Sequence, residues 1–126
     1  MNLVDSSGWL EYFSDGTNAN KFYNPLKDLS NLIVPTISIY EVFKVVLRER
    51  GEEDALQAIA LMKQGVIVDL TTEISLLAAK RSLDYQIPMA DSIILATAQF
   101  YEATIWTQDD DFKGIKSVKY FPKKKK

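Results

Sequence analysis

Apolar positions along the 126-residue chain alternate between two spacings. Short apolar runs at residues 2–5, 32–35, 66–70 and 103–106 have the length and β-branched content of buried strands, and residues 118–120 read as an edge strand. Between them the apolar residues recur at helical intervals. Residues 9–13 form a first helix after a turn at Ser6-Ser7-Gly8. A second covers residues 20–29, with Phe22, Tyr23 and Leu26 at core spacing and Pro25 inside it. Residues 38–50 form a third, opened by a capping box of Ser38 and Glu41 and carrying a core stripe of Val42, Phe43, Val46 and Leu47. Residues 52–63 follow with Ala55, Leu56, Ile59 and Met62 on the inner face, and residues 71–86 with Ile74, Leu77, Ala78 and Arg81 at helical spacing. The last helix spans residues 88–101. Pro88 suits its first turn, and Asp91, Ile94, Leu95 and Ala98 share one inward stripe.

Strands alternating with helices predict a parallel sheet covered on both faces. Right-handed crossovers then bring the carboxyl ends of the strands to one edge, where such folds place their ligands. With no internal repeat or Pro/Ser-rich linker, the expectation is one domain over residues 1–122 and a disordered basic tail at 123–126.

Composition narrows the chemistry sharply. The chain has no cysteine and no histidine, which removes thiol nucleophiles, Cys/His zinc sites, Ser-His-Asp triads and histidine-based ribonuclease mechanisms. Catalysis would fall to carboxylates, which favour hard cations such as Mg²⁺ or Mn²⁺. Net charge is only −2, but seven of the 15 basic residues (Lys113, Lys116, Lys119 and Lys123 to Lys126) crowd the C-terminus. That tail reads as a solubility feature or as an RNA contact. Pro35, Glu41 and Lys44 interrupt the most apolar region, and no signal-peptide pattern precedes Leu3, so the expectation is a soluble cytoplasmic protein with no membrane segment.

Four acids are aimed at the expected ligand edge. Asp5 ends the first strand, Glu41 opens the helix after the second, Asp91 opens the helix leading into the fourth, and Asp109 follows the fourth. Each has a plainer reading: a helix cap for Asp5, the capping box for Glu41, a helix-dipole partner for Asp91, a solvated acidic loop for Asp109-Asp110-Asp111. Asp69 reads as a turn residue before the Thr71 cap, with membership of the acidic site as the alternative. Four coincident plain readings at one edge are a poor account, whereas clustered carboxylates neutralised by divalent metal form a phosphodiester-cleaving centre.

The ordered set Leu3-Val4-Asp5-Ser6-Ser7, Ser38-Ile39-Tyr40-Glu41-Val42, Pro88-Met89-Ala90-Asp91-Ser92-Ile93-Ile94-Leu95-Ala96-Thr97-Ala98 and Thr107-Gln108-Asp109-Asp110-Asp111-Phe112 resembles PIN-domain proteins, specifically VapC-type toxins of toxin–antitoxin pairs. The resemblance implies a three-layer α/β/α sandwich with a parallel sheet of four to five strands in order 3-2-1-4-5. It implies metal-dependent endoribonuclease activity on single-stranded RNA, homodimers and a small cognate antitoxin. It assigns metal binding and catalysis to Asp5, Glu41, Asp91 and Asp109, support to Ser6 and Thr107, and a further acid to Asp111. Lys44, Arg48, Lys80 and Arg81 are candidate RNA contacts by proximity to these segments. Two rivals stand beside it. One is a phosphorelay receiver domain with a magnesium pocket, in which Val66-Ile67-Val68-Asp69 would be the phosphoacceptor strand; the other is a catalytically inactive PIN-like RNA-binding module.

Overall fold

The structure, a computed structural model, describes residues 1–124; Lys125 and Lys126 of the expected tail lie outside the described residues. Strands β1 (Asn2–Val4), β2 (Leu32–Pro35), β3 (Val66–Val68), β4 (Thr104–Thr107) and β5 (Val118–Tyr120) form one parallel sheet in the order β3-β2-β1-β4-β5. The register aligns Asn2 with both Leu32 and Thr104, so β1 lies at the centre. The sequence runs outward from β1 to β3 on one side, then returns to β4 and β5 on the other. The carboxyl end of β1 beside β4 is therefore the topological switch point.

Among the described residues six α-helices cover the sheet: α1 (Ser6–Phe13), α2 (Ala19–Lys27), α3 (Thr36–Arg50), α4 (Glu52–Met62), α5 (Thr72–Tyr85) and α6 (Met89–Phe100). Alternation along the strands divides the core in two. Leu3, Ile33, Val68 and Ile105 pack with Ile74 and Ala78 of α5 and the apolar residues of α6. Val4, Leu32 and Val34 face the other way, onto Trp9 of α1, Phe22 and Leu26 of α2, Val42 and Val46 of α3, and Ala55 and Met62 of α4. Among the described residues no helix is long and apolar enough to cross a membrane.

Several expectations are corrected. Helix α3 begins at Thr36, directly after Pro35, so Ser38 lies inside its first turn and the Ser38–Glu41 capping box does not form. Ser38 is fully buried, with its Oγ unpartnered. Leu47, Leu56 and Tyr23 are exposed, while Ala58 takes a buried position on α4 and Leu26 one on α2. Pro88 caps α6 from outside rather than filling its first turn. Nor is α6 buried along one stripe: residues 92–98 are all buried, as expected of a helix enclosed by its neighbours.

Helix α1 approaches the sheet closely because Gly8 has no side chain. A Cβ there would fall 2.6 Å from Val4 Cγ1 and 2.8 Å from the Phe22 ring. Gly8→Ala is expected to cost about 1–3 kcal/mol of unfolding free energy through this overpacking, measured as a lower urea midpoint.

Candidate metal centre

Asp5 leaves the carboxyl end of β1 and is the N-cap of α1, as its plainer reading expects. Its Oδ1 accepts the Gly8 N–H at 3.0 Å and the Ser7 hydroxyl at 2.7 Å, and its Oδ2 accepts the Thr107 hydroxyl at 2.6 Å. The residue is only 2% exposed. Burial raises its pKa from 3.8 to about 6; the hydrogen bonds from Thr107, Ser7 and Gly8 oppose the rise, and the charge of Asp109 adds to it.

Thr107 ends β4 and connects two acids. Besides donating to Asp5, its Oγ1 accepts the Asp109 N–H at 2.9 Å. Asp109 then caps a short 3-10 turn, Asp110–Phe112, with its Oδ1 accepting the Asp111 N–H at 2.9 Å. Phe112 is fully buried and anchors this turn. Asp91, in the first turn of α6, offers a carboxylate oxygen to the same place: oxygens of Asp91, Asp109 and Asp111 all lie within 4.8 Å of one another. Asp91 is accordingly perturbed the most. Its pKa rises from 3.8 to about 8, first through burial, then through a hydrogen bond shared with Asp111 and the charges of Asp109, Asp111 and Asp5.

Glu41 lies one turn beyond Ser38 on α3, and its Oε1 accepts the Ser6 hydroxyl at 2.7 Å. The consecutive serines therefore hold two acids, Ser6 the glutamate of α3 and Ser7 the aspartate of β1. Ser7 carried no sequence assignment beyond its place in the run, although a hydroxyl two residues after a cap aspartate is a common local partner for it. Gln108, also missed, meets Ser7 through its backbone N–H at 3.3 Å.

The candidate basic contacts are dispersed. Lys44 lies over the Tyr40 ring at 5.7 Å, Arg48 pairs with Glu49 at 3.6 Å on the surface, and Lys80 is exposed. Arg81 is engaged by Gln99 at 2.7 Å and Asp84 at 2.9 Å, tying α5 to α6. Asp69 is exposed just past β3, the far edge strand, well removed in the sheet order from the switch point.

The raised pKa values fix the sign of a pH effect. Between about pH 4 and 8 the folded protein keeps protons on Asp5 and Asp91 that the unfolded chain has released. The contribution of these groups to stability therefore falls as pH rises through that window, and is flat below and above it. Urea midpoints measured in EDTA across the window should decline, and a divalent cation should recover much of the loss at the alkaline end.

A central parallel sheet with carboxylates gathered at its switch point places the molecule among α/β proteins built around an acidic site. The chain belongs to the PIN domain family, whose model matches residues 3–117. Among solved structures it is similar to a toxin–antitoxin complex from Klebsiella pneumoniae, with a TM-score of 0.77 and 23% identity over 94% of this chain and 96% of the other. VapBC2 from Rickettsia felis, bound to a DNA fragment from its promoter, gives 0.76 at 15% identity over 96% and 97%. VapC20 from Mycobacterium tuberculosis, a sarcin-ricin loop cleaving toxin, gives 0.76 at 13% over 92% and 95%. At these identities the likeness is one of fold. No curated protein matches the sequence.

Proposed function

We propose that this chain is the toxin of a toxin–antitoxin pair and acts as a divalent-metal-dependent endoribonuclease. The observation that carries the reading is the convergence of Asp91, Asp109 and Asp111 within 4.8 Å, beside a buried Asp5. Such crowding of carboxylates is unfavourable unless a proton or a cation is shared among them, and an all-oxygen donor set fits Mg²⁺ or Mn²⁺. In this reading Asp5, Glu41, Asp91 and Asp109 hold the metal and carry catalysis, with Asp111 as a further ligand. A divalent ion there supplies charge to polarise a phosphodiester and to acidify a water for attack.

The chain's own contribution is placement. Thr107, Ser7 and the Gly8 N–H orient both oxygens of Asp5, Ser6 orients Glu41, and helix α6 delivers Asp91 from a rigid core. Fold likeness to toxins of toxin–antitoxin complexes supports the partner part of the proposal: a cognate antitoxin that masks the site in the cytoplasm. A homodimer completes it, supported by Leu76 and Leu83, exposed two turns apart on α5. The receiver reading loses support because its phosphoacceptor candidate, Asp69, lies beyond the sheet's far edge strand.

The test is cleavage of a structured RNA by purified protein with Mg²⁺ or Mn²⁺ and with EDTA, beside folded Asp5→Asn and Asp91→Asn variants. Cleavage that needs metal and is lost in both variants is the expected result. Activity persisting in EDTA or in both variants would sink the site assignment, and folded wild-type protein that binds RNA without cutting it would favour the inactive module.

A further inference from the structure

The basic C-terminal segment does not leave the molecule at a remote corner. Strand β5 runs parallel to β4, with Tyr120 opposite Thr107, so the chain emerges from β5 at the same sheet edge as the acids. Phe121 then donates its N–H to the Thr107 carbonyl at 2.8 Å and stacks on Trp106 at 6.0 Å, with Phe22 against its edge at 5.7 Å. Pro122 is held by a buried asparagine. Asn18 is 1% exposed and, although it stands at the N-cap of α2, makes no side-chain capping bond. It instead donates from Nδ2 to the Pro122 carbonyl at 3.0 Å and to Gln108 Oε1 at 3.1 Å. One buried amide thus joins the tail to the loop between Thr107 and Asp109. Lys123, next in the chain, lines a groove of about 530 Å³ whose near end is Ser7 and Gln108, linked to the acidic site by hydrogen bonds, and whose remaining wall comes from α1, α3 and α4, with Glu11, Glu49, Asp54 and Arg50 among its residues.

Charge gives this anchoring a purpose. All 17 acidic residues precede Lys113, so the body of the molecule repels a polyanion while the tail attracts one. An acidic centre that must admit an RNA backbone gains most from cations at its rim, where they neutralise phosphates flanking the one in the site. Free capping asparagines satisfy their own helix; a buried one directed at a lysine-bearing segment is spent on position.

We propose that Pro122, Lys123 and Lys124 form a phosphate-gripping arm for single-stranded RNA at the rim of the acidic site, and that Asn18 with Gln108 is its positioning clamp. The inference rests on the endoribonuclease reading for its ligand. Lys123 and Lys124 contact backbone phosphates and carry no sequence preference, so they act on substrate binding rather than on the chemical step.

The test uses fluorescence anisotropy of a labelled single-stranded RNA in Ca²⁺ over a range of salt, with the wild-type protein, a Lys123→Gln/Lys124→Gln variant and Asn18→Ala, each checked for folding by circular dichroism. The lysine variant should bind about fivefold to tenfold more weakly and lose about 0.7 from the log–log salt slope per lysine removed. Asn18→Ala should weaken binding and flatten the slope with every lysine still present, and should add little to the lysine variant. In cleavage assays both changes should raise KM and leave kcat within about twofold. Unchanged RNA affinity and slope in the lysine variant would overturn the arm, as would an effect confined to binding a protein partner. The two readings fail separately: wild-type protein that shows the lysine dependence but cuts no RNA would sink the nuclease assignment alone.

Discussion

The Asp91→Asn protein is expected to fold, to resist urea better than the wild type at pH 8 without metal, and to cut RNA at least about a hundredfold more slowly. Loss of a hydrogen-bonding partner behind a metal ligand already costs about 10–100-fold, so loss of a ligand charge should cost at least the upper end of that range. The gain in stability has the same origin as the loss of activity. In the wild type, burial, the hydrogen bond with Asp111 and the charges of Asp109, Asp111 and Asp5 keep the Asp91 proton in place up to about pH 8, and its loss exposes mutual repulsion among these groups. An amide at position 91 donates to Asp111 at every pH and carries no charge. The decline of the metal-free urea midpoint between about pH 4 and 8 should therefore be shallower in the variant, the remainder belonging to Asp5. A variant that is both inactive and no more stable than wild type at pH 8 would refute this account of the Asp91 proton while leaving the ligand role standing. Parallel urea titrations and RNA cleavage rates on one preparation read both effects.

The second large effect is expected at Thr107→Val. Valine fills the buried space of threonine but removes the hydroxyl that donates to Asp5 and accepts from the Asp109 N–H. One carboxylate oxygen and one backbone N–H lose their partner, at a cost of about 1–3 kcal/mol for a buried group. Cleavage should fall by about 10–100-fold, and because the Thr107 hydrogen bond lowers the Asp5 pKa, the acidic limb of the pH–rate profile should move upward. Thr107→Ser restores the hydroxyl and should return the profile to its original position. A rate loss with an unshifted profile, or one that serine fails to rescue, would mean that Thr107 matters only for packing.

How much of this was legible in the sequence depends on the kind of interaction. Strands and helices were readable because apolar runs and helical spacings are local, and the order of the acids along the chain pointed to one sheet edge. The burial of α6 on all sides was not, since periodicity marks an inner face but cannot count how many layers enclose a helix. For the same reason Leu47 and Leu56 read as core residues, while Ala58 takes one of the buried positions. Ser38 and Glu41 fit a capping box in spacing, but the helix starts two residues earlier and frees Glu41 to meet Ser6, 35 residues away in sequence. The Asn18 clamp was illegible for a related reason. Its partners, Gln108 and Pro122, lie 90 and 104 residues along the chain, and nothing local marks an asparagine that forgoes its own helix.

The enclosure of α6 also divides the labour of motion at the acidic site. Amides within the buried stretch 92–98 exchange with solvent only when much of the molecule opens, so Asp91, in the turn just before it, stands on a firm base at the ligand edge. Asp111 sits opposite on an exposed turn. A divalent cation held there would meet one wall set by α6 and another whose Asp111 side chain stands open to solvent.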